Sequence, residues 1–191
     1  MTGPATIAAA QAEADTRRWL ERAVIGLNLC PFAKAVHVKA QIHYATYLPG
    51  EEAGLMDALL SEANELAALD ATVRDTTLLI APNTLADFLD FNDFTARAER
   101  KLARAGFDGV FQLASFHPQF QFAGTEADDI GNATNRAPYP TLHLLRERSV
   151  SRAVEAFPEA EDIFERNIET LQALGQAGWV ALDVGPGSAK P

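Results

Sequence analysis

The side chains best suited to acid–base or binding chemistry are concentrated in one stretch of the sequence, between Ala114 and Glu147. They are His117, Gln121, Asp129, Asn135, Arg136, Tyr139, His143, Arg146 and Glu147. Most of this stretch, residues 117–139, lacks the periodicity of a helix or a strand. A loop of that length in a compact domain is usually either functional or disordered. Because the stretch is rich in phenylalanine, we expect an ordered loop whose polar groups converge.

An imidazole beside a carboxylate is the arrangement of a general acid or base. Pro140 is typical of the first residue of a helix, and a helix starting there would place His143 and Glu147 on one face. His117 follows a predicted strand, which is the position where open α/β sheets bind ligands. We therefore predict His117 or His143 as the general acid or base, oriented by Glu147 or Asp129.

Two arginines predict an anionic substrate. The planar guanidinium groups of Arg136 and Arg146 can each bind a carboxylate or a phosphate with two hydrogen bonds. Asn135, Tyr139 and Gln121 lie close to them in sequence and complete the predicted substrate site. In the competing interpretation the arginines form salt bridges with neighbouring carboxylates and the asparagines only form turns.

Metal and thiol chemistry are alternatives. His117, His143 and Glu147 would supply two imidazoles and one carboxylate to iron(II), manganese or zinc, with coordination positions left open. Cys30 is a separate candidate, because its thiol precedes Pro31 at a predicted helix end. It is interpreted as a nucleophile, as a ligand of haem iron, or as a buried and unreactive thiol.

The elements that must position these residues predict an α/β fold. Helices are predicted over residues 8–28, 51–70, 84–105, 140–157 and 159–174, and strands over 41–48, 76–81 and 110–116. A fourth short strand is expected within 34–40 or 179–182. Strand–helix–strand units favour parallel pairing, so we expect a small mixed or parallel sheet of three to four strands flanked by helices. No linker divides the chain, which predicts one domain over 1–191, with its core over about 8–178 and a loose tail over 179–191.

Length, charge and cysteine content disfavour several classes of protein. The chain has 191 residues and is 48% hydrophobic, enough for a core without cross-links. Its formal net charge of −10 disfavours binding to nucleic acid or to anionic membranes. A single cysteine fits a reducing cytoplasm, and no apolar stretch approaches the ~20 residues of a membrane helix. No glycine-rich nucleotide motif is found, so no nucleotide cofactor is expected, whereas a divalent metal remains an option.

Four segments resemble the motifs of a bacterial family known as domain of unknown function 1415. They are LNLCPFAKAV (Leu27–Val36), DFNDF (Asp90–Phe94), ASFHPQFQFAG (Ala114–Gly124) and NATNRAPYPTLHLLRE (Asn132–Glu147). The resemblance extends from about Trp19 to Leu174, and it implies a free-standing domain with no established activity. The family pattern includes Cys30, His117, Asp129, Asn135, Arg136, Tyr139, His143, Arg146 and Glu147. This chain departs from it at Ala137, where serine is usual, and at Phe120, where tyrosine is frequent.

Two functions of different classes follow from these observations. The first is a cytoplasmic enzyme that acts on a small anionic metabolite by acid–base or metal-assisted chemistry. The second is a non-catalytic binding or regulatory module, in which the aromatic, arginine and asparagine side chains form an exposed patch. The first requires a shared site, so it fails in this form if His117 and His143 lie on different faces of the fold.

Overall fold

The computed structural model describes residues 7–156 and 162–187. Its α-helices are α1 (Ala9–Trp19), α2 (Ala33–Val38), α3 (Glu52–Ala68), α4 (Phe88–Leu102), α5 (Glu147–Ala156) and α6 (Ile163–Ala181). Two π-helices, Leu20–Ile25 and Ala103–Phe107, continue α1 and α4, and a short 3-10 helix spans Ile130–Asn135. The strands are β1 (Ile42–Thr46), β2 (Thr76–Ile80), β3 (Phe111–Phe116) and β4 (Thr141–Arg146).

The four strands form one mixed sheet in the order β1-β2-β4-β3. β1 pairs with β2 in parallel, as the intervening helix α3 predicts, whereas β4 runs antiparallel to both β2 and β3. The predicted α/β class with a mixed sheet of four strands flanked by helices is therefore confirmed.

The fourth strand is not where the sequence placed it. Residues 34–40 contain α2 and residues 179–182 lie mostly in α6, while the segment predicted as the start of a helix, Thr141–Arg146, is β4. Its alternation decides this, because Leu142 and Leu144 enter the core on one face and His143 lies on the other. In addition, only a strand at this position pairs the backbone of both β2 and β3. The predicted helix end at 157, the break at Pro158 and the next helix start at 159 lie outside the described residues.

Each face of the sheet carries its own apolar cluster. The α3–α4 face buries Leu79 of β2 and Leu144 of β4 against helix residues such as Phe91. The opposite face buries Leu78 of β2 with Trp19 of α1, and it leaves space beside them. Since side chains alternate along a strand, neighbouring residues of β3 and β4 belong to different faces. This alternation decides which of the candidate residues can meet.

The N-cap of helix α4 lies three residues after the predicted one. Asp87, not Thr84, is the N-cap: its carboxylate accepts from the backbone N–H groups of Leu89 and Asp90 at 2.8 and 3.1 Å. The Thr84 hydroxyl instead donates to the carbonyl of Pro49. At the other end the predicted stop is confirmed, because Gly106 adopts a φ of 90°, a conformation that favours glycine.

The long loop between β3 and β4 is ordered, and the chain after residue 179 is anchored as far as it is described. Buried Asn132 accepts from the backbone N–H of Phe122 and donates to the carbonyl of Glu126, both at 2.9 Å. The loose tail predicted over 179–191 is wrong for 179–187, because α6 continues to Ala181 and Val184 is buried. Residues 188–191 lie outside the described part.

Candidate functional site

A cavity of about 490 Å³ lies on the α1 face of the sheet. Helical residues wall it on one side, the segment after Cys30 on another, and strand residues form its floor. The lining includes Trp19, Leu20, Val24, Cys30, Phe32, Val36, Ile42, Thr76, Leu78, Ala114, Phe116, His143, Leu145, Ser149, Val150 and Ala153. Small-molecule sites typically have this size, with apolar walls and a few polar groups. The cavity is therefore the best candidate for a functional site.

The π-helix Leu20–Ile25 contributes Leu20 and Val24 to the wall. A π-helix is less stable than an α-helix of the same length and is often found beside functional sites. The chain then turns at Asn28, whose φ is 56°, and brings Cys30 and α2 against the cavity. The Leu27–Val36 motif therefore shapes the rim of the cavity.

His143 is the central polar group of the floor. Its Nε2 lies 2.6 Å from the hydroxyl oxygen of Thr76, which also lies 2.6 Å from the carbonyl oxygen of Leu144. A hydroxyl has one hydrogen, and the carbonyl can only accept it, so the ring hydrogen sits on Nε2 and is donated to Thr76. Nδ1 then carries a lone pair, and no described residue donates a hydrogen bond to it. The cavity thus presents one unused acceptor.

The surroundings keep this imidazole neutral. Burial among apolar side chains lowers the pKa of His143 to about 4, because the charged ring would lose its hydration. The Phe116 ring lies 6.2 Å away between centroids. At neutral pH the ring is therefore an acceptor of hydrogen bonds or protons and not a cation.

Cys30 lines the same cavity as a free thiol. Burial raises its pKa, and the backbone hydrogen bonds from Phe32 and Ala33 offset this only in part. A nucleophilic or haem-ligating cysteine needs the opposite shift, since the thiolate is the reactive form. The unbound chain therefore presents a neutral thiol and a neutral imidazole in the same cavity.

A polar mouth closes one end of the cavity. The Ser149 hydroxyl donates to Asp75 at 2.6 Å, and Arg152 donates to the Ser149 oxygen at 3.2 Å. Arg146 lies at 4.0 Å from the same carboxylate. These side chains join β2, β4 and α5 at the point where the cavity meets a wider groove.

His117 does not belong to this site. Its ring packs between Phe88 and Phe91 on the α4 face, whereas His143 lies on the α1 face. His117 is 0% exposed, its Nδ1 accepts from the backbone N–H of Gln119, and its Nε2 donates to the carbonyl of Leu85. Desolvation lowers its pKa, so it is a neutral, fully paired core residue. The predicted shared site of His117 and His143 is therefore wrong.

The arginines also have structural partners instead of a substrate. Arg136 donates to the carbonyls of Phe120 and Ala127, and desolvation lowers its pKa. Arg146 donates to the carbonyls of Leu66 and Leu69 at 2.6 and 2.7 Å, at the end of α3, where the last helical carbonyls lack some of their intrahelical partners. The predicted clamp of two guanidinium groups on one anion does not form, although Arg146 still lines the cavity mouth.

The remaining loop residues hold the loop together. Asp129 caps the 3-10 helix by accepting from Gly131, Asn135 donates to the carbonyl of Ser115, and Gln121 donates to that of Thr125. Buried Tyr139 donates to Asp15 at 2.6 Å. None of these four predicted site residues lines the cavity.

The predicted metal site has no counterpart in the described ranges. His117 and His143 lie on opposite faces, and the side chain of Glu147 lines the groove outside the cavity. Glu147 is the first residue of α5 and not the next turn of a helix carrying His143. Within residues 7–156 and 162–187, no group of three histidine, cysteine, aspartate or glutamate side chains is placed to hold a metal ion.

Several cavity residues were not predicted from the sequence. Thr76 fixes the His143 tautomer, and Ser149 and Asp75 form the mouth. Thr76 begins a strand that looked wholly structural, Asp75 immediately precedes it, and Ser149 falls inside the helix predicted over 140–157. The available signal was the even spacing of Thr76 and Leu78, which puts both on the face of the sheet that holds the cavity.

Comparison with known protein families matches residues 11–181 to one family, described as Protein of unknown function (DUF1415). No curated protein and no solved structure matches the chain. The match covers most of the sequence and confirms the family indicated by the four motifs. In the part of the chain that the structure describes, no helix combines the length and apolarity needed to cross a membrane.

Proposed function

The chain belongs to the DUF1415 family of proteins of unknown function, and we propose that it binds a small, mostly apolar molecule in the cavity between α1, α5 and the sheet. His143 accepts a hydrogen bond from this molecule through Nδ1. The observation that carries the proposal is an unpaired ring nitrogen on the floor of an apolar cavity of about 490 Å³. His143 is only partly buried, and a ligand in the cavity that donates to Nδ1 would supply the hydrogen bond that no described residue makes there.

The proposal moves the expected small-molecule site from the loop to the cavity. Of the residues predicted from the sequence, the proposed site includes His143, Cys30 and Arg146. It does not include His117, Arg136 or the amide side chains of the loop. A non-catalytic patch of exposed aromatic and arginine side chains is less well supported, because the loop's Arg136 is bonded inward.

A pair of probes with the same ring system tests the hydrogen bond to His143. 1-Naphthol has a hydroxyl donor, whereas naphthalene has none. We expect 1-naphthol to bind roughly twofold to tenfold more tightly, which is the contribution of one hydrogen bond. His143→Phe keeps a ring on the floor and should abolish the difference without abolishing the binding of naphthalene. Titrations followed by protein NMR measure both affinities and show whether the shifted resonances belong to cavity residues.

Equal binding of the two probes to the unchanged protein would contradict the role of His143. Shifted resonances outside the cavity lining would contradict the site itself. Thr141→Ser serves as a control variant, because Thr141 is a buried β4 residue whose hydroxyl donates to the carbonyl of Tyr139 and has no part in the cavity lining. It should leave the naphthol preference unchanged.

Catalysis in the same cavity is a second candidate, favoured by the free lone pair of His143 Nδ1 in a cavity that the Cys30 thiol also lines. A neutral imidazole can take a proton from the carbon next to a ketone carbonyl, which leaves an enolate; the ring then exchanges that proton with D2O and returns a deuteron to the same carbon. The test is hydrogen–deuterium exchange at the carbon next to the carbonyl of 2-tetralone in D2O, followed by NMR. We expect the protein to accelerate exchange at least tenfold over His143→Phe, and Cys30→Ala to retain the acceleration. Exchange at the same rate in all three proteins would exclude this candidate.

We also propose where the protein is located in the cell. A cytoplasmic location in a bacterium is supported by the free thiol of Cys30 and by the family resemblance. The net charge of −10 supports a small-molecule ligand over nucleic acid. Immunoblotting of fractionated cells that express the natural protein tests the location, and recovery in a membrane or exported fraction would contradict it.

A further inference from the structure

The cavity continues into a wider groove with a different chemical character. The groove has a volume of about 1050 Å³ and lies between α2, the end of α3 and α5. The residues that line both spaces are Val36, Asp75, Arg146, Ser149 and Ala153. The cavity and the groove therefore adjoin at these residues, and the hydrogen bond between Ser149 and Asp75 lies at their boundary.

Basic side chains face this groove on a chain that is acidic overall. Its charged lining consists of Lys39, Arg146, Arg148 and Arg152 against Asp70, Asp75 and Glu147. The formal net charge of the chain is −10, so even a small local excess of positive charge sets the groove apart from the remaining surface.

The acids and bases of the groove differ in how they are already used. Asp75 accepts from Ser149 and lies beside Arg146, and Asp70 accepts from the backbone and the hydroxyl of Thr72. In contrast, Lys39 and Arg148 form no ion pair within the described residues, and Arg152 contacts only neutral oxygens. Within the described residues, Glu147 is the one groove carboxylate whose side chain forms no hydrogen bond or salt bridge. With Arg146 set against Asp75, the groove retains Lys39, Arg148 and Arg152 against Asp70 and Glu147, which is a small excess of positive charge.

Arg148 and Arg152 lie four residues apart and therefore on the same side of α5. The same helix lines the cavity through Val150 and Ala153. One helix thus brings an apolar contact for the body of a ligand and two guanidinium groups for its end. A guanidinium binds carboxylates, sulfonates and phosphates with directed hydrogen bonds.

We propose that the ligand is an amphipathic organic anion whose apolar body occupies the cavity and whose acid group lies in the groove near Arg148 and Arg152. This inference rests on the proposed function, because it assigns the cavity to the apolar part of the same ligand. It also gives a physical basis for an anionic small molecule that differs from the predicted Arg136 clamp.

Two fluorescent probes that differ by one acid group test this assignment. 1-Anilinonaphthalene-8-sulfonate carries a sulfonate, and N-phenyl-1-naphthylamine has the same ring system without it. We expect both probes to bind the unchanged protein. The double variant Arg148→Gln/Arg152→Gln should bind the sulfonate roughly fivefold to thirtyfold more weakly, because two exposed ionic contacts are lost. The affinity for the neutral probe should change by less than about twofold. Raising the salt concentration should weaken only the sulfonate.

The matched control is Arg100→Gln/Arg104→Gln, because these exposed arginines are also four residues apart but lie at the end of α4. It should leave both affinities unchanged. Ala114→Leu fills the floor of the cavity and should weaken both probes, and Ala33→Leu does the same from the wall if the first variant does not fold. Circular dichroism establishes that each variant is folded.

The outcomes separate the two proposals. Suppose that both probes bind the unchanged protein, that the cavity-filling variants bind neither, and that Arg148→Gln/Arg152→Gln binds the sulfonate with unchanged affinity. The anionic ligand is then refuted, and the proposed binding of an apolar molecule in the cavity stands. An equal loss of sulfonate affinity in the Arg100→Gln/Arg104→Gln control would likewise refute the groove, since net charge alone would then explain it. If neither probe binds, or the cavity-filling variants bind both normally, the proposed function fails and this inference fails with it.

Discussion

The neutral state of His143 makes the stability of the protein depend on pH in a defined window. The ordinary pKa of histidine is 6.5, and burial lowers that of His143 to about 4 in the folded protein. Between these values the unfolded chain binds a proton that the folded chain does not. Stability is therefore complete above pH 6.5, is lost as the pH falls towards 4, and changes no further through this group below that.

The size of the effect follows from the same two values. Each unit of pH between them removes about 1.4 kcal/mol, so lowering the pH from 7 to 4 removes about 3 kcal/mol through His143. This is a large part of the total stability of a domain, which is typically about 5–15 kcal/mol. His117 adds to the loss in the same direction, because burial lowers its pKa as well. The lowered pKa of Asp15 acts below 3.8 and so outside the window.

Urea unfolding at a series of pH values measures this contribution. The difference in unfolding free energy between the unchanged protein and His143→Gln should shrink by about 3 kcal/mol from pH 7 to pH 4. Thr76→Ser keeps the hydroxyl that holds Nε2 and should follow the unchanged protein with a constant offset. If the curves of the unchanged protein and His143→Gln run parallel through this window, the imidazole is not held neutral by burial. An NMR titration in which the His143 ring charges above pH 6 would refute the reasoning directly.

Four further predictions follow from buried contacts. Asp15→Asn should lower the unfolding free energy by about 3–5 kcal/mol, because it leaves the Arg18 guanidinium without its buried charge partner. Urea unfolding measures this loss, and a loss below about 1 kcal/mol would contradict the prediction. Cys30 should react more slowly with iodoacetamide at pH 8 in the folded protein than in urea, because burial raises its pKa, and equal rates by mass spectrometry would contradict this. His117→Gln should lower thermal stability yet leave the binding of naphthalene unchanged at 10 °C, and lost binding in a folded variant would instead place His117 at the site. Arg146→Met should destabilise the protein by about 1–3 kcal/mol, because the carbonyls at the end of α3 lose the guanidinium that donates to them, and protection from hydrogen exchange that is unchanged at the end of α3 would argue against that role.

The sequence predicted the elements whose signals are local. The stripe of leucines in α3, the continuous apolar run of β2 and the glycine that ends α4 each depend on neighbours a few residues away. For the same reason the parallel pairing of β1 and β2 could be expected, because a helix connects them. The order of the 117–139 loop followed from its aromatic content, and its rings do pack, with Phe120 and Phe122 at 5.0 Å between centroids.

The candidate site was predicted only in part. Cys30, His143 and Arg146 line the cavity, but the sequence grouped them with residues that the fold sends elsewhere. Periodicity allowed His143 to be four residues before Glu147 on a helix, and nothing local excluded it. The pairing of Thr141–Arg146 with two strands from distant parts of the chain made it a strand instead.

What the tertiary structure decided is the partner of each polar group. Residue type and spacing identify an imidazole or a guanidinium, but its chemistry depends on which atoms surround it. His117 and His143 have the same side chain, and one is fully paired in the α4 core while the other keeps a free nitrogen in a cavity. The difference arises because successive side chains along a strand point to opposite faces of the sheet. Which of the two faces encloses a cavity is determined only when the helices pack on the sheet.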